Sequence, residues 1–359
     1  MKAILYESQN ARVKFGVGLL KDVGNELREL GGKRALVIAT PGQQELATEV
    51  AVLLGDLCAG IYAEAVQHVP RESIDQSMQV VEELQIDSFV PVGGGSSIGL
   101  AKALALETTF PILAIPTTYA GSEMTPVWGI TENGQKTTGK NMIVKPKTVI
   151  YDPNLTVTLP SSLTVTSGMN AIAHCAEGLY AENANPIISI MAEEGIRALS
   201  SCLPRILENP EDIEARSEAL YGTWMGGTVL GSVGMALHHK LCHVLGGSYT
   251  LQHSETHTVI LPYALWYNST YARESMAAIG RAIGSEVDDV AGAIFDLSKS
   301  LGVAVSLEEI GMKRENLDEA AEIAVRNPYY NPRPIEINSI RRLLEYAFNG
   351  ERPMRGMQL

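Results

Sequence analysis

The sequence is poor in the features that mark secreted, membrane-spanning and nucleic-acid-binding chains. Its four cysteines, Cys58, Cys175, Cys202 and Cys242, are scattered and form no CxxC pair. A disulfide framework is therefore not expected, and a reduced, cytoplasmic protein is. No run of lysine and arginine occurs, and the net charge is −13. That balance argues against nucleic acid and against an anionic membrane as partner. It also means that an anionic substrate needs cations placed locally. The opening MKAILYESQN meets Glu7 before an apolar run develops, so it does not read as a signal peptide. One uncharged stretch of 19 residues, 219–237, is long enough to span a bilayer. Five glycines punctuate it and His238, His239 and Lys240 follow it, so it reads as a buried, closely packed helix. No internal repeat or low-complexity segment is evident.

What is present suffices for two ordinary domains: 359 residues, 45% of them apolar and 19% charged. In the first 155 residues, apolar runs at 35–39 (ALVIA), 89–92 (FVPV) and 112–116 (ILAIP) alternate with segments of helical periodicity at 20–30 and 73–84. Such alternation predicts a parallel sheet covered on both faces, a Rossmann-like α/β domain. After DPNLTVTLP (152–160) strand-like runs nearly vanish, and 189–203 and 287–301 read as amphipathic helices. Breaks are expected at Asn209-Pro210, at Leu261-Pro262 and across NPYYNPRP (327–334). The expected organisation is thus an α/β domain over 1–155 and an all-helical domain over 156–359.

The strongest local signal in the first half is VPVGGGSSIGLAKALAL (90–106). A buried strand runs into Gly93, Gly94, Gly95 and Ser96 and then into a helix. Glycines let the backbone turn sharply and approach a ligand, and the N–H groups of the helix start favour a phosphate. The run matches neither GxGxxG nor GxxxxGK[ST], and a plain structural turn is the competing reading. The next predicted strand ends in PTTYAGSE (116–123), where Thr117, Thr118 and Ser122 offer hydroxyls. Open α/β sheets bind ligands at the carboxyl ends of their strands, so the two loops together favour a dinucleotide site.

The chain has seven histidines, and six of them fall at His174, His238, His239, His243, His253 and His257. Asn170 and His174 are four residues apart on a predicted helix, as are His239 and His243, so each pair shares a face. His253 follows His239 by 14 residues. Three converging imidazoles would suit zinc or iron, with an anionic fourth ligand expected. The helix-face position available for it is Asn170, a neutral amide and a poor ligand.

GGGS (93–96), PTTYAGSE (116–123), DPNL…LP (152–160), GMNAIAHCAEGLY (168–180) and HKLCHVLGGSYTLQHSETHTVILP (239–262) resemble, in order and spacing, the iron-containing alcohol dehydrogenase superfamily. The resemblance runs from about Phe15 to the C-terminus. It implies a dinucleotide-binding domain, an all-helical domain and an active site in the cleft between them. It also implies a homodimer. In that superfamily an Asp and three His hold a metal; by position these are Asn170, His174, His239 and His253, so the carboxylate is absent. Gly99 stands where many relatives carry Asp, and Ser254 where a Gly is usual. Ala39 and Thr40 stand near a strand end that carries an NAD-selecting Asp in relatives, so NADPH is not obviously repelled.

These departures resemble the maleylacetate reductase branch, as do PTTYAGSEMTP, HKLCHVLGG and NPRP (331–334). That branch reduces the carbon–carbon double bond of a small dicarboxylate, maleylacetate, with NADH or NADPH and no metal. The expected pocket is lined by His174, His239, His243 and His253, with His243 and His253 as electrophile or proton donor. Asn170 would bind a substrate oxygen or orient His174. Tyr249, Arg326 and Arg333 are expected to contact the substrate's carboxylates, Lys140 a cofactor phosphate, and Tyr119 to narrow the nicotinamide pocket. The alternative is a metal-dependent alcohol or polyol dehydrogenase of the same superfamily. Cyclising lyase chemistry, as on the related dehydroquinate synthase scaffold, and a non-catalytic nucleotide-binding protein are more distant readings.

Overall fold

The computed structural model describes residues 11–133 and 135–354. The N-terminal MKAILYESQN, read above as no signal peptide, lies outside them. Two compact units divide between Leu159 and Pro160.

The first unit runs β1 (Arg12–Phe15), α1 (Val23–Leu30), β2 (Ala35–Ile38), α2 (Gln44–Leu54), β3 (Cys58–Tyr62), α3 (Arg71–Glu83), β4 (Ser88–Gly93), α4 (Gly95–Thr108) and β5 (Leu113–Pro116). A hairpin of β6 (Val127–Glu132) and β7 (Gln135–Lys140) follows, then β8 (Thr148–Tyr151). Six strands form one sheet in the order β1-β8-β5-β4-β2-β3, and every pairing in it is parallel. The central strands β2, β4 and β5 are buried throughout, which is why they are continuous apolar runs in the sequence. From β2 the chain winds outward to β3; from β4 it winds the other way to β5 and β8. The order reverses between β2 and β4, the place where such sheets bind ligands beyond the strands' carboxyl ends.

The second unit is helical: α5 (Ser161–Leu179), α6 (Pro186–Glu208), α7 (Ile213–Ser232), α8 (Leu237–Tyr249), α9 (His253–Asn268), α10 (Arg273–Ile283), α11 (Val290–Ser300), α12 (Leu317–Val325) and α13 (Ile337–Asn349). Among the described residues no helix is long and apolar enough to cross a membrane. Gly222 and Gly226 of the uncharged stretch are packing devices instead. A Cβ on Gly226 would stand 2.9 Å from the Ala171 carbonyl oxygen, and one on Gly222 2.6 Å from Leu199 Cγ. This close approach seats α7 directly on α5 and α6.

The break expected at Leu261-Pro262 does not occur, because α9 continues through Pro262 to Asn268. Pro262 removes one ladder donor. The helix persists because its residues 256–268 are all buried, and packing on that scale overrides a local breaker.

Candidate active site

In the first unit the ends of three neighbouring strands converge. Gly93 closes β4 with φ +139°, and a Cβ there would lie 2.3 Å from Gln43 Oε1 and 2.6 Å from Ser97 Oγ. A Cβ on Gly94 would meet Thr118 Cγ2 at 2.8 Å, whereas Gly95 has nothing within 4 Å. Gln43, just beyond Thr40 and β2, donates through Nε2 to Thr117 Oγ1 at 2.7 Å, and the Thr117 amide donates to the Gly93 carbonyl at 3.1 Å. The result is a bare helix N-terminus at Gly95 and Ser96, bordered by hydroxyls, with Ser97 Oγ buried and unpartnered. These residues fit a dinucleotide phosphate. Gly93→Ala forces an L-residue into a conformation that suits glycine and crowds Gln43. The expected result is NAD(P)H binding weakened roughly tenfold or more in a fluorescence titration. An unchanged Kd would remove the loop from the cofactor site.

Lys102, on α4, was not singled out in the sequence. It is buried, and its Nζ reaches Ser122 O at 2.7 Å, Ser122 Oγ at 3.2 Å, Thr125 Oγ1 at 2.9 Å and Val127 O at 2.8 Å. Burial pushes its ammonium down to about 7, against the raising influence of Glu123. Ser122 is thereby held by α4, its hydroxyl and carbonyl both engaged. Lys140 ends β7 on an exposed strand, and among the described residues no contact ties it to the glycine loop. Tyr119 is fully buried with its hydroxyl 3.1 Å from Thr156 Oγ1, a core position within the first unit. At Gly99 a Cβ would stand 2.9 Å from Val69 Cγ2, so the Asp of relatives has no room there without movement of Val69.

In the second unit, three helices gather all six histidines. Helix α5 supplies Asn170, His174 and, one turn on, Glu177; α8 supplies His238, His239 and His243; α9 supplies His253 and His257. Ring centroids lie 5.2 Å apart for His174 and His239, 4.9 Å for His239 and His257, 4.8 Å for His238 and His257, and 4.2 Å for His253 and His257. His239 and His243 are 6.2 Å apart. Two members, His238 and His257, lay outside the expected pocket lining. His253 and His257 are four residues apart on α9, so the spacing that marked the other pairs applied here as well.

Burial divides the six. His174, His238, His239 and His257 are buried, whereas His253 is half-buried and His243 exposed. Desolvation holds His174, His239 and His257 well below the ordinary imidazole range and lowers His238 to about 4. All four are therefore neutral at neutral pH, and none of them offers an imidazolium to the substrate. The same shift makes a stability prediction. A depressed folded pKa means that the unfolded chain binds protons first as pH falls, so stability is lost on acidification. For His238 the loss starts near 6.5 and is complete near 4; it amounts to on the order of 3 kcal/mol. Urea midpoints measured across this window should fall with pH, and His238→Gln should flatten the slope.

Glu177, which the sequence reading passed over, organises the group. It is wholly buried and accepts from the amides of Ala236 at 2.8 Å, His238 at 2.7 Å and His239 at 3.3 Å. Its Oε2 also lies 2.7 Å from His239 Nδ1. Burial raises its carboxyl above the usual range, opposed by these donors. With three backbone donors on its oxygens, the bond to His239 is made by an Nδ1–H. That leaves His239 Nε2 as the lone-pair nitrogen, buried and without a partner. Asn170 Oδ1, His174 Nδ1 and both nitrogens of His257 are also buried without partners.

The donors fit the family's iron poorly. The position facing His174 from one turn earlier is a neutral amide, and the one buried carboxylate in contact with the histidines is already engaged four times. His238, His239 and His257 can bring ring nitrogens within 4.8 Å of one another. However, His238 Nε2 is held by the His257 carbonyl at 2.9 Å, and His239 Nδ1 by Glu177. Four neutral donors leave a buried divalent cation uncompensated.

The residues expected to contact the substrate's carboxylates are engaged elsewhere. Arg333 stacks over the Tyr267 ring at 4.2 Å and reaches Tyr267 O and Ser339 Oγ, each at 3.5 Å. Arg326 is exposed and pairs with Glu322 at 3.5 Å. The Tyr249 hydroxyl donates to Glu319 Oε2 at 3.2 Å. None of the three touches a histidine through a described contact.

Residues 10–153 match the family profile described as iron-containing alcohol dehydrogenase, and residues 164–348 its C-terminal counterpart. The chain belongs to the iron-containing alcohol dehydrogenase family. It is an oxidoreductase, and within that family it groups with the maleylacetate reductases. It is 52% identical to maleylacetate reductase of Burkholderia cepacia over 98% of this chain and 100% of that one. The crystal structure of maleylacetate reductase from Rhizobium sp. strain MTP-10005 superposes with a TM-score of 0.95 at 46% identity, covering 98% and 100% of the two chains. An iron-containing alcohol dehydrogenase from Corynebacterium glutamicum superposes with a TM-score of 0.94 at 41% identity, covering 98% and 99%.

Proposed function

We propose that this chain reduces the carbon–carbon double bond of maleylacetate to give 3-oxoadipate, using NADH or NADPH and no metal, in the cytoplasmic breakdown of aromatic compounds. The observation that carries the metal-free reading is Asn170: it places a neutral amide beside neutral imidazoles where a metal would need an anion. A bound reduced nicotinamide supplies the hydride, which adds to the carbon β to the ketone.

The protein's task is then to stabilise negative charge on the ketone oxygen and to protonate the α carbon. The Asn170 amide N–H groups, and a ring N–H of His174 or His257, can hydrogen-bond the developing oxyanion without being charged beforehand; His239, whose free Nε2 carries the lone pair, cannot donate to it. His243 and His253 are the two members of the cluster with access to solvent, so they can deliver a proton and recover one from water. With Asn170 in place of a carboxylate, the site also carries one negative charge fewer to repel a dianion.

The test is oxidation of NADH and NADPH with maleylacetate, with the product identified by NMR. The expected product is 3-oxoadipate. Formation of 4-hydroxyhex-2-enedioate, in which the carbonyl rather than the alkene is reduced, would overturn the reading and favour an alcohol dehydrogenase.

A further inference from the structure

We propose that Lys240 and Tyr329 form the anchor for one carboxylate of the substrate, next to His243; the inference rests on the dicarboxylate reading above. The three helices that carry the histidines, α5, α8 and α9, contain a single lysine or arginine between them, and it is Lys240. It precedes His243 by three residues on α8, so the two share a face. Lys240 is half-buried and makes no ion pair among the described residues; its ammonium lies 5.7 Å from the centre of the Tyr329 ring. The Tyr329 hydroxyl is 3.0 Å from His243 Nδ1, and the two rings meet edge-on at 6.1 Å.

These contacts tie a cation, a phenol and the exposed histidine into one group at the rim of the buried cluster. Arg326, Arg333 and Tyr249 do not compete for this role, since each is engaged elsewhere. A chain of net charge −13 repels a dianion unless an uncompensated cation stands at the site. A carboxylate on Lys240 with the Tyr329 hydroxyl as second donor supplies two charge-assisted hydrogen bonds. It also sets the reacting carbons at a fixed distance from His243.

The experiment compares wild type with Lys240→Met. Steady-state turnover of maleylacetate by the wild type tests the underlying reading separately. Binding is then measured with 3-oxoadipate and two monoacids that each keep one of its carboxylates, 4-oxopentanoate and 3-oxopentanoate. The variant is expected to bind 3-oxoadipate and one of the two monoacids about 10- to 100-fold more weakly, and the other within about twofold of wild type. KM for maleylacetate rises by a larger factor than kcat falls. Lys240→Arg recovers most of the affinity. Lys299→Met, which removes an exposed lysine on α11, changes neither constant. Equal weakening of both monoacids would reduce Lys240 to a general electrostatic contribution and overturn the anchor, as would unchanged binding of all three.

Discussion

His253→Ala and His243→Ala should each lower kcat about 100-fold or more with maleylacetate, while KM changes far less. The expectation follows from the division of the histidines by burial. Four of the six are sealed from solvent and held neutral, because desolvation disfavours their protonation at neutral pH. Carbanion chemistry on an enone consumes one proton per turnover, and that proton has to be replaced from water. Only His243 and His253 combine membership of the cluster with solvent access. The two roles separate by isotope. When the reaction is run in D2O, the variant missing the carbon-protonating residue should place deuterium at the α carbon without the stereoselectivity of the wild type. The variant missing the oxyanion donor should retain the wild-type labelling pattern at a lower rate. Full turnover in either variant would remove that residue from the mechanism.

Glu177→Leu should lower the melting temperature by about 10 °C or abolish soluble expression, although residue 177 touches no solvent. Replacing a buried charge by an apolar group is often neutral, because the charge's own desolvation penalty disappears with it. Here that relief is outweighed. Three of the four donors to Glu177 are backbone amides, which no repacking can remove, and the fourth is the ring of His239. Stranding buried donors costs about 1–3 kcal/mol each, so the total is on the order of 4 kcal/mol or more. In a helical unit of this size each kcal/mol is worth roughly 2–4 °C. Glu177→Gln keeps an acceptor oxygen and should fold with a smaller loss. It should still lower kcat, since the amide no longer fixes the proton of His239 on Nδ1. A Glu177→Leu protein with wild-type stability would mean that the amides of residues 236–239 find other acceptors.

The parts of the fold that could be read in the sequence were those whose burial is one-dimensional. Strands β2, β4 and β5 lie in the middle of the sheet, so both faces are apolar and the run itself identifies them. Edge strand β1 (RVKF) and the glycine-containing β3 (CAGIY) carry no such signal, and their strand character comes from pairing with β8 and β2. Pro262 misled for the related reason that a local breaker says nothing about the packing around it. In the site, the histidines stood out because they cluster in sequence and repeat at helical spacing. Glu177 shares that helix face with His174, but its importance lies in amides about 60 residues away, which spacing does not reveal. The basic residues were the least legible. Whether an arginine is available to a substrate depends on which partner already holds it, and Tyr267 and Glu322 hold Arg333 and Arg326.

The most direct test of the account is turnover of maleylacetate by enzyme stripped with EDTA and shown by elemental analysis to hold far less than one metal per chain. Undiminished NAD(P)H oxidation by that protein is the expected result and would establish that Asn170 and the neutral histidines act without a metal. Activity that vanishes on stripping and returns with iron or zinc would contradict the account. It would place the chain's chemistry with the metal-dependent alcohol dehydrogenases of its family.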